Sequence, residues 1–129
     1  MWILLQCIGL CTDQDLISRH GVEYTFSGNS ETSSTNYEYT VILGDSITQK
    51  ETVGDESWLI GTYVSVSDGI ELYNNGDKCG EIPRQATITF FHGEEPKMLE
   101  ASEPTIFNYE FSMQINCKKG KGLKLVENF

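Results

Sequence analysis

Phe107-Asn108-Tyr109-Glu110-Phe111-Ser112-Met113-Gln114-Ile115-Asn116-Cys117 alternates apolar and polar side chains without a break. Because side chains of an extended chain point to opposite sides in turn, Phe107, Tyr109, Phe111, Met113, Ile115 and Cys117 share one face. A helix would scatter the same residues around its axis. The stretch therefore predicts a β-strand with one face in the core.

Upstream, Tyr37-Glu38-Tyr39-Thr40-Val41-Ile42-Leu43 repeats the pattern, with Tyr37, Tyr39, Val41 and Leu43 on one side and Gly44-Asp45 turning the chain. Further short apolar runs lie at Ile47–Glu51, Trp58–Val66, Ile70–Tyr73, Ala86–Phe91 and Leu123–Val126. Asn75-Gly76-Asp77 is a turn signal, since Asn and Gly tolerate positive φ. Short strands at regular spacing predict an all-β fold, a sandwich or a barrel. Ser27 to Asn36 reads as a polar loop. Asp13 to His20 reads as a short N-terminal embellishment of one or two helical turns, capped by Thr12 or Asp13.

With 129 residues the chain has the size of one domain. Its formal charge of −10 argues against nucleic acid as a partner, because that affinity rests on Lys and Arg neutralising phosphates. The acidic segments Glu51–Glu56 and Glu94-Glu95, like the basic Lys118, Lys119, Lys121 and Lys124, read as solvated surface. The apolar start, Met1 to Leu10, is shorter than the roughly 20 residues that cross a bilayer, so no membrane span is expected. Residues 1–12 read as a signal peptide, with a buried first strand or a truncated start as the alternative, and 13–129 as the domain.

No catalytic motif stands out. His20 and His92 are far apart in sequence and read as surface residues. Cys7 and Cys11 resemble half of a zinc site, but no second Cys/His pair follows at ligand spacing, so no metal or other cofactor is expected. Carboxylates are plentiful enough to pair by chance, so a small glycosidase, which needs two facing each other across a cleft, is the weakest reading.

The segment from Tyr73 to Cys117 carries more. It contains Tyr73-Asn-Asn-Gly-Asp-Lys-Cys79, then Arg84, then the alternating strand from Ala86, then Glu103-Pro104, then Tyr109-Glu110-Phe111 and Cys117. That order resembles the mannose 6-phosphate receptor homology (MRH) domain. Upstream, Ile47-Thr48-Gln49-Lys50 resembles the family's Gln-bearing segment and Trp58 to Tyr63 its Gly/Trp-containing stretch. The resemblance covers about residues 37 to 117, and Gln49-Lys50 with the Trp58 segment look most like the glucosidase II beta subunit.

The resemblance implies a flattened barrel or sandwich of two mostly antiparallel sheets, in which four residues hold a mannose ring. Gln49 and Arg84 would address the 2-hydroxyl region from two sides, Glu103 would accept from ring hydroxyls, and Tyr109 would complete the contacts. The chemistry agrees: adjacent hydroxyls donate and accept together, which calls for a carboxylate acceptor, a guanidinium donor and an amide that does both. An axial hydroxyl is then told from an equatorial one, because a misplaced group leaves buried polar atoms unpaired. Taken singly, Gln49 reads as an exposed strand residue, Arg84 as a surface partner of Glu81 or Asp77, Glu103 as loop acid and Tyr109 as core.

The chain departs from the family where it has His92, eight residues after Arg84, and Phe107, two before Tyr109; both positions are usually Cys. Cys117 is also closer to Tyr109 than usual. Cys79 and Cys117 are thus expected either to pair with each other or to stay free. The function implied is that of a non-catalytic lectin module of the endoplasmic reticulum or later secretory pathway. It would bind mannose of high-mannose N-linked glycans and serve glycoprotein processing or quality control, alongside a catalytic glucosidase subunit or glycoprotein clients. Quality-control lectins and phosphomannose receptors are close alternatives. The reading from another class is a degenerate domain that keeps a protein-interaction role without sugar binding.

Overall fold

The computed structural model describes residues 9–29, 36–54 and 56–118. The expected strand at Leu123–Val126 and most of the expected signal segment lie outside them. Among the described residues the short helix α1 (Asp13–Ile17) precedes ten strands: β1 (Glu23–Asn29), β2 (Asn36–Ile42), β3 (Ser46–Glu51), β4 (Ser57–Ser67), β5 (Ile70–Asn75), β6 (Lys78–Cys79), β7 (Ile82–Pro83), β8 (Gln85–His92), β9 (Lys97–Thr105) and β10 (Asn108–Ile115). Eight of these form one sheet in the order β1-β2-β3-β4-β5-β8-β10-β9, and β6 with β7 makes a separate two-stranded ribbon. All pairings are antiparallel except β8 with β10, which run parallel.

The sheet curls until β1 approaches β9, giving the flattened barrel that the resemblance implies and the strand spacing allows. Its interior is built by the two-residue alternation. Tyr39 and Val41 of β2, Ile47 of β3, Ile60 of β4, Tyr73 of β5, Ala86, Ile88 and Phe90 of β8, and Tyr109, Phe111, Met113 and Ile115 of β10 are all buried. Across the interior, the rings of Tyr39 and Phe111 meet edge to face at 5.0 Å. β1 and β9 were not legible as strands. The first runs through Ser27–Asn29, within the stretch read as a polar loop, and β9 is a polar edge with little apolar periodicity.

α1 is a structural closure of one barrel end, and so more than an embellishment. Thr12 caps it: its hydroxyl accepts from Asp15 N (3.0 Å), and the Asp15 carboxylate accepts from Thr12 N (3.1 Å). Leu16 is fully buried in the core, and Asp13 accepts from Gly69 N at 2.8 Å. Cys11 N donates to Phe90 O at 3.0 Å. Cys11 and Thr12, placed in the leader by the sequence reading, therefore belong to the folded domain.

The cysteine expectation is corrected here. Cys117 is disulfide-bonded to Cys11, with 6.0 Å between their Cα atoms, and Cys79 is free and exposed. The reason is the direction of β10. Cys79 lies in the ribbon beside the start of β8, and β8 and β10 are parallel, so the end of β10 carries Cys117 to the other end of the barrel. Eight residues at ~3.3 Å each set the two ends more than 20 Å apart, far beyond the reach of a disulfide. His92, standing where the family pattern has Cys, ends beside Cys117, with Nδ1 3.8 Å from its Sγ.

Candidate functional site

At the barrel end opposite α1, the start of β2, the end of β3, the start of β4 and the starts of β8 and β10 converge. The hairpin centred on Gly44 sets Tyr39 opposite Gln49, and Gln49 in turn lies opposite Trp58 on β4. Gln49 faces inward and is only 6% exposed. Its amide nitrogen donates to the Tyr39 hydroxyl at 3.1 Å. The reading of Gln49 as an exposed strand residue is thereby corrected.

Arg84 is set by the loop that carries the small ribbon. Gly76 N donates to Arg84 O (2.9 Å) and Arg84 N to Asp77 O (3.1 Å), closing the loop at its base. Asp77 anchors it to β4, since Asp77 N donates to Leu59 O and Leu59 N donates to the Asp77 carboxylate, both at 2.8 Å. Arg84 itself is 8% exposed and makes no ion pair with Glu81 or Asp77. Its Nη1 donates to the Asp77 carbonyl at 3.2 Å. Its guanidinium carbon lies 4.7 Å from the centre of the Phe107 ring and 5.5 Å from that of Trp58. Arg84 Nε is buried with no hydrogen-bond partner among the described residues.

Tyr109, 7% exposed, is the second residue of β10 and lies opposite Ala86. Burial raises the pKa of its phenol; the neighbouring Arg84 guanidinium works the other way, and the charge of Glu103 adds to the rise. Tyr39 is raised likewise, first by burial, with the Gln49 bond opposing and Tyr109, Tyr37 and Glu103 contributing. These mutual influences tie Tyr39, Tyr109, Glu103 and Arg84 into one electrostatic neighbourhood. Both phenols stay protonated at neutral pH and can donate to a ligand oxygen. Glu103, on β9, accepts from Phe107 N at 2.8 Å. Among the described residues its other oxygen makes no hydrogen bond that would compete with a ligand hydroxyl.

All four sequence-predicted residues thus reach one barrel end, three of them buried. Tyr39, Trp58 and Phe107 were missed as part of this group. Tyr39 was legible in principle, because a hairpin turning at Gly44 places it across from Gln49. Phe107 read as the first residue of the strand, but with φ +62 it forms the β9–β10 turn instead. Among the described residues no cluster of His, Cys, Asp or Glu could hold a metal ion.

The arrangement offers a carboxylate acceptor, an amide, two protonated phenols and a guanidinium with an uncommitted donor, which suits a polyhydroxylated neutral ligand. The family model described as "Glucosidase II beta subunit-like protein" matches residues 11–126. No curated protein matches significantly. Among solved structures, the MRH domain of glucosidase II beta bound to mannose superposes with a TM-score of 0.59 and 22% identity, over 78% of this chain and 95% of that one. A point mutant of the glucosidase II beta MRH domain gives a TM-score of 0.55 and 18% identity, over 75% and 95%. The barrel has the MRH fold, and the chain belongs to the glucosidase II beta subunit-like family.

Proposed function

We propose that the domain is a lectin module that holds a mannose residue of high-mannose N-linked glycans, and that it is not itself an enzyme. The observation that carries this is the convergence of Gln49, Arg84, Glu103 and Tyr109 on one barrel end with a buried Arg84 donor left open. A buried unpaired donor is costly, and a ligand oxygen repairs the deficit. In this reading Gln49 and Arg84 address the 2-hydroxyl region, while Glu103 and Tyr109 take the remaining ring hydroxyls. A relative of the same fold is known in a mannose-bound form.

A lumenal compartment of the secretory pathway, the endoplasmic reticulum foremost, fits the Cys11–Cys117 disulfide, since such bridges persist in oxidising compartments. The natural partners are then mannose-bearing glycoproteins and a separate catalytic glucosidase subunit that the domain brings to them. The competing reading, an interaction module without sugar binding, rests on the missing cysteines and would be favoured by failure of the four residues to converge; Gln49, Arg84, Glu103 and Tyr109 lie at one barrel end.

The test is binding of the purified domain to an array of high-mannose and phosphomannose glycans, beside Arg84→Ala. Selective mannose binding lost in the variant is expected. No binding by a folded wild-type domain would sink the lectin reading.

A further inference from the structure

We propose that Phe107 is a positioning residue that aims two sugar-holding groups at once, the Arg84 guanidinium through its ring and the Glu103 carboxylate through its backbone. The inference rests on the mannose-binding reading and adds to it a residue outside the four. Phe107 adopts φ +62, a left-handed conformation that residues with a β-carbon seldom take. A turn alone would be better served by Gly or Asn. What distinguishes Phe107 is what it holds in that conformation.

Its N–H donates to Glu103 Oε2 at 2.8 Å, and its carbonyl accepts from Gln85 N at 3.0 Å, next to Arg84 in the chain. Its ring lies 4.7 Å from the Arg84 guanidinium carbon, with the Trp58 ring at 5.5 Å. An aromatic ring engages the face of a guanidinium and leaves the N–H donors, which point outward in its plane, free for oxygen. Of those donors, Nη1 is committed to Asp77 O while Nε has no partner among the described residues. The ring thus holds Arg84 without consuming the hydrogen bond that a sugar hydroxyl needs. The same turn fixes one oxygen of Glu103 and leaves the other to the ligand.

A purely structural role for Phe107 makes the opposite forecast to this one, and glycine separates them. Phe107→Gly relieves the left-handed backbone but removes the ring. Phe107→Tyr keeps the ring, and Trp58→Leu removes the second ring from a different strand. The readouts are mannose affinity by calorimetry, thermal midpoint, and the Arg84 Nε–H resonance of the ¹⁵N-labelled domain, which neighbouring rings displace.

Expected results are a thermal midpoint in Phe107→Gly equal to or above wild type, with mannose affinity roughly 5- to 30-fold weaker and the Arg84 resonance moved toward its free-peptide position. Phe107→Tyr should restore both, and Trp58→Leu should weaken affinity in the same direction. Unchanged affinity and an unchanged Arg84 resonance in Phe107→Gly would overturn the proposal. Absence of mannose binding by wild type would remove the sugar reading instead, while the Arg84 resonance would still decide whether Phe107 holds the guanidinium.

Discussion

Cys11 and Cys117, separated by 106 residues, are joined in a disulfide that ties the lead-in to α1 to the end of β10. The bond spans nearly the whole described domain, so it restricts the unfolded chain strongly. Loop closure on that scale contributes about 4–5 kcal/mol in the chain-entropy model, and removal of such bridges costs ~2–5 kcal/mol.

Cys11→Ser and Cys117→Ser are each expected to lower stability by about 2–5 kcal/mol, and reduction of wild type should do the same. Cys79→Ser, at an exposed free thiol, should leave the denaturation midpoint in place. Urea titrations of the three variants check this. A Cys79→Ser variant as unstable as Cys117→Ser would refute the pairing.

Tyr39→Phe removes the acceptor of the Gln49 amide bond. The buried amide nitrogen is then unpaired, at a cost of ~1–3 kcal/mol, and Gln49 no longer holds one orientation. A folded variant with mannose affinity weakened several-fold is expected from calorimetry. Wild-type affinity would show that Gln49 is oriented by something else.

Gly76→Ala tests the base of the Arg84 loop. A β-carbon at Gly76 would run into the backbone carbonyl of Ile60, which β4 holds in place. Overpacking of this kind costs typically 1–3 kcal/mol. A displaced loop should also weaken mannose binding, because Gly76 N bonds the Arg84 carbonyl. Wild-type stability and affinity together would refute the tight approach.

Glu71 makes stability depend on pH. Its carboxyl is fully buried in the barrel, where Tyr73 Oη donates to it at 2.6 Å and His20 Nε2 lies at 3.3 Å. Burial raises its pKa above the ordinary value of 4.5, with the Tyr73 and His20 contacts opposing but not cancelling the effect. The unfolded chain therefore ionises first. The stability contributed by the protonated carboxyl is full below about pH 4.5 and is lost as pH rises through the folded value. Glu71→Gln, which keeps an acceptor for Tyr73, should gain on wild type between pH 4.5 and pH 8 in urea denaturation. A variant that loses ground over that interval would mean that His20 holds the carboxylate ionised.

The strands β2 and β10 were legible because each alternates apolar and polar residues, which follows directly from backbone geometry, and β3, β4, β5 and β8 were legible as short runs at regular spacing between turn signals. That spacing determined the all-β class, and the resemblance to the MRH domain pointed to Gln49, Arg84, Glu103 and Tyr109, which lie at one barrel end. β1 was missed although Val22, Tyr24 and Phe26 alternate with Glu23, Thr25 and Ser27, because that run is short and merges into the polar stretch from Ser27, while β9 carries little apolar alternation. Only the tertiary structure decided the disulfide partner, since pairing depends on which barrel end each cysteine occupies and not on sequence distance. It alone also brought Tyr39, Trp58 and Phe107 to the site. Their roles arise from contacts between strands and from one left-handed turn, which a linear pattern of hydrophobicity does not encode.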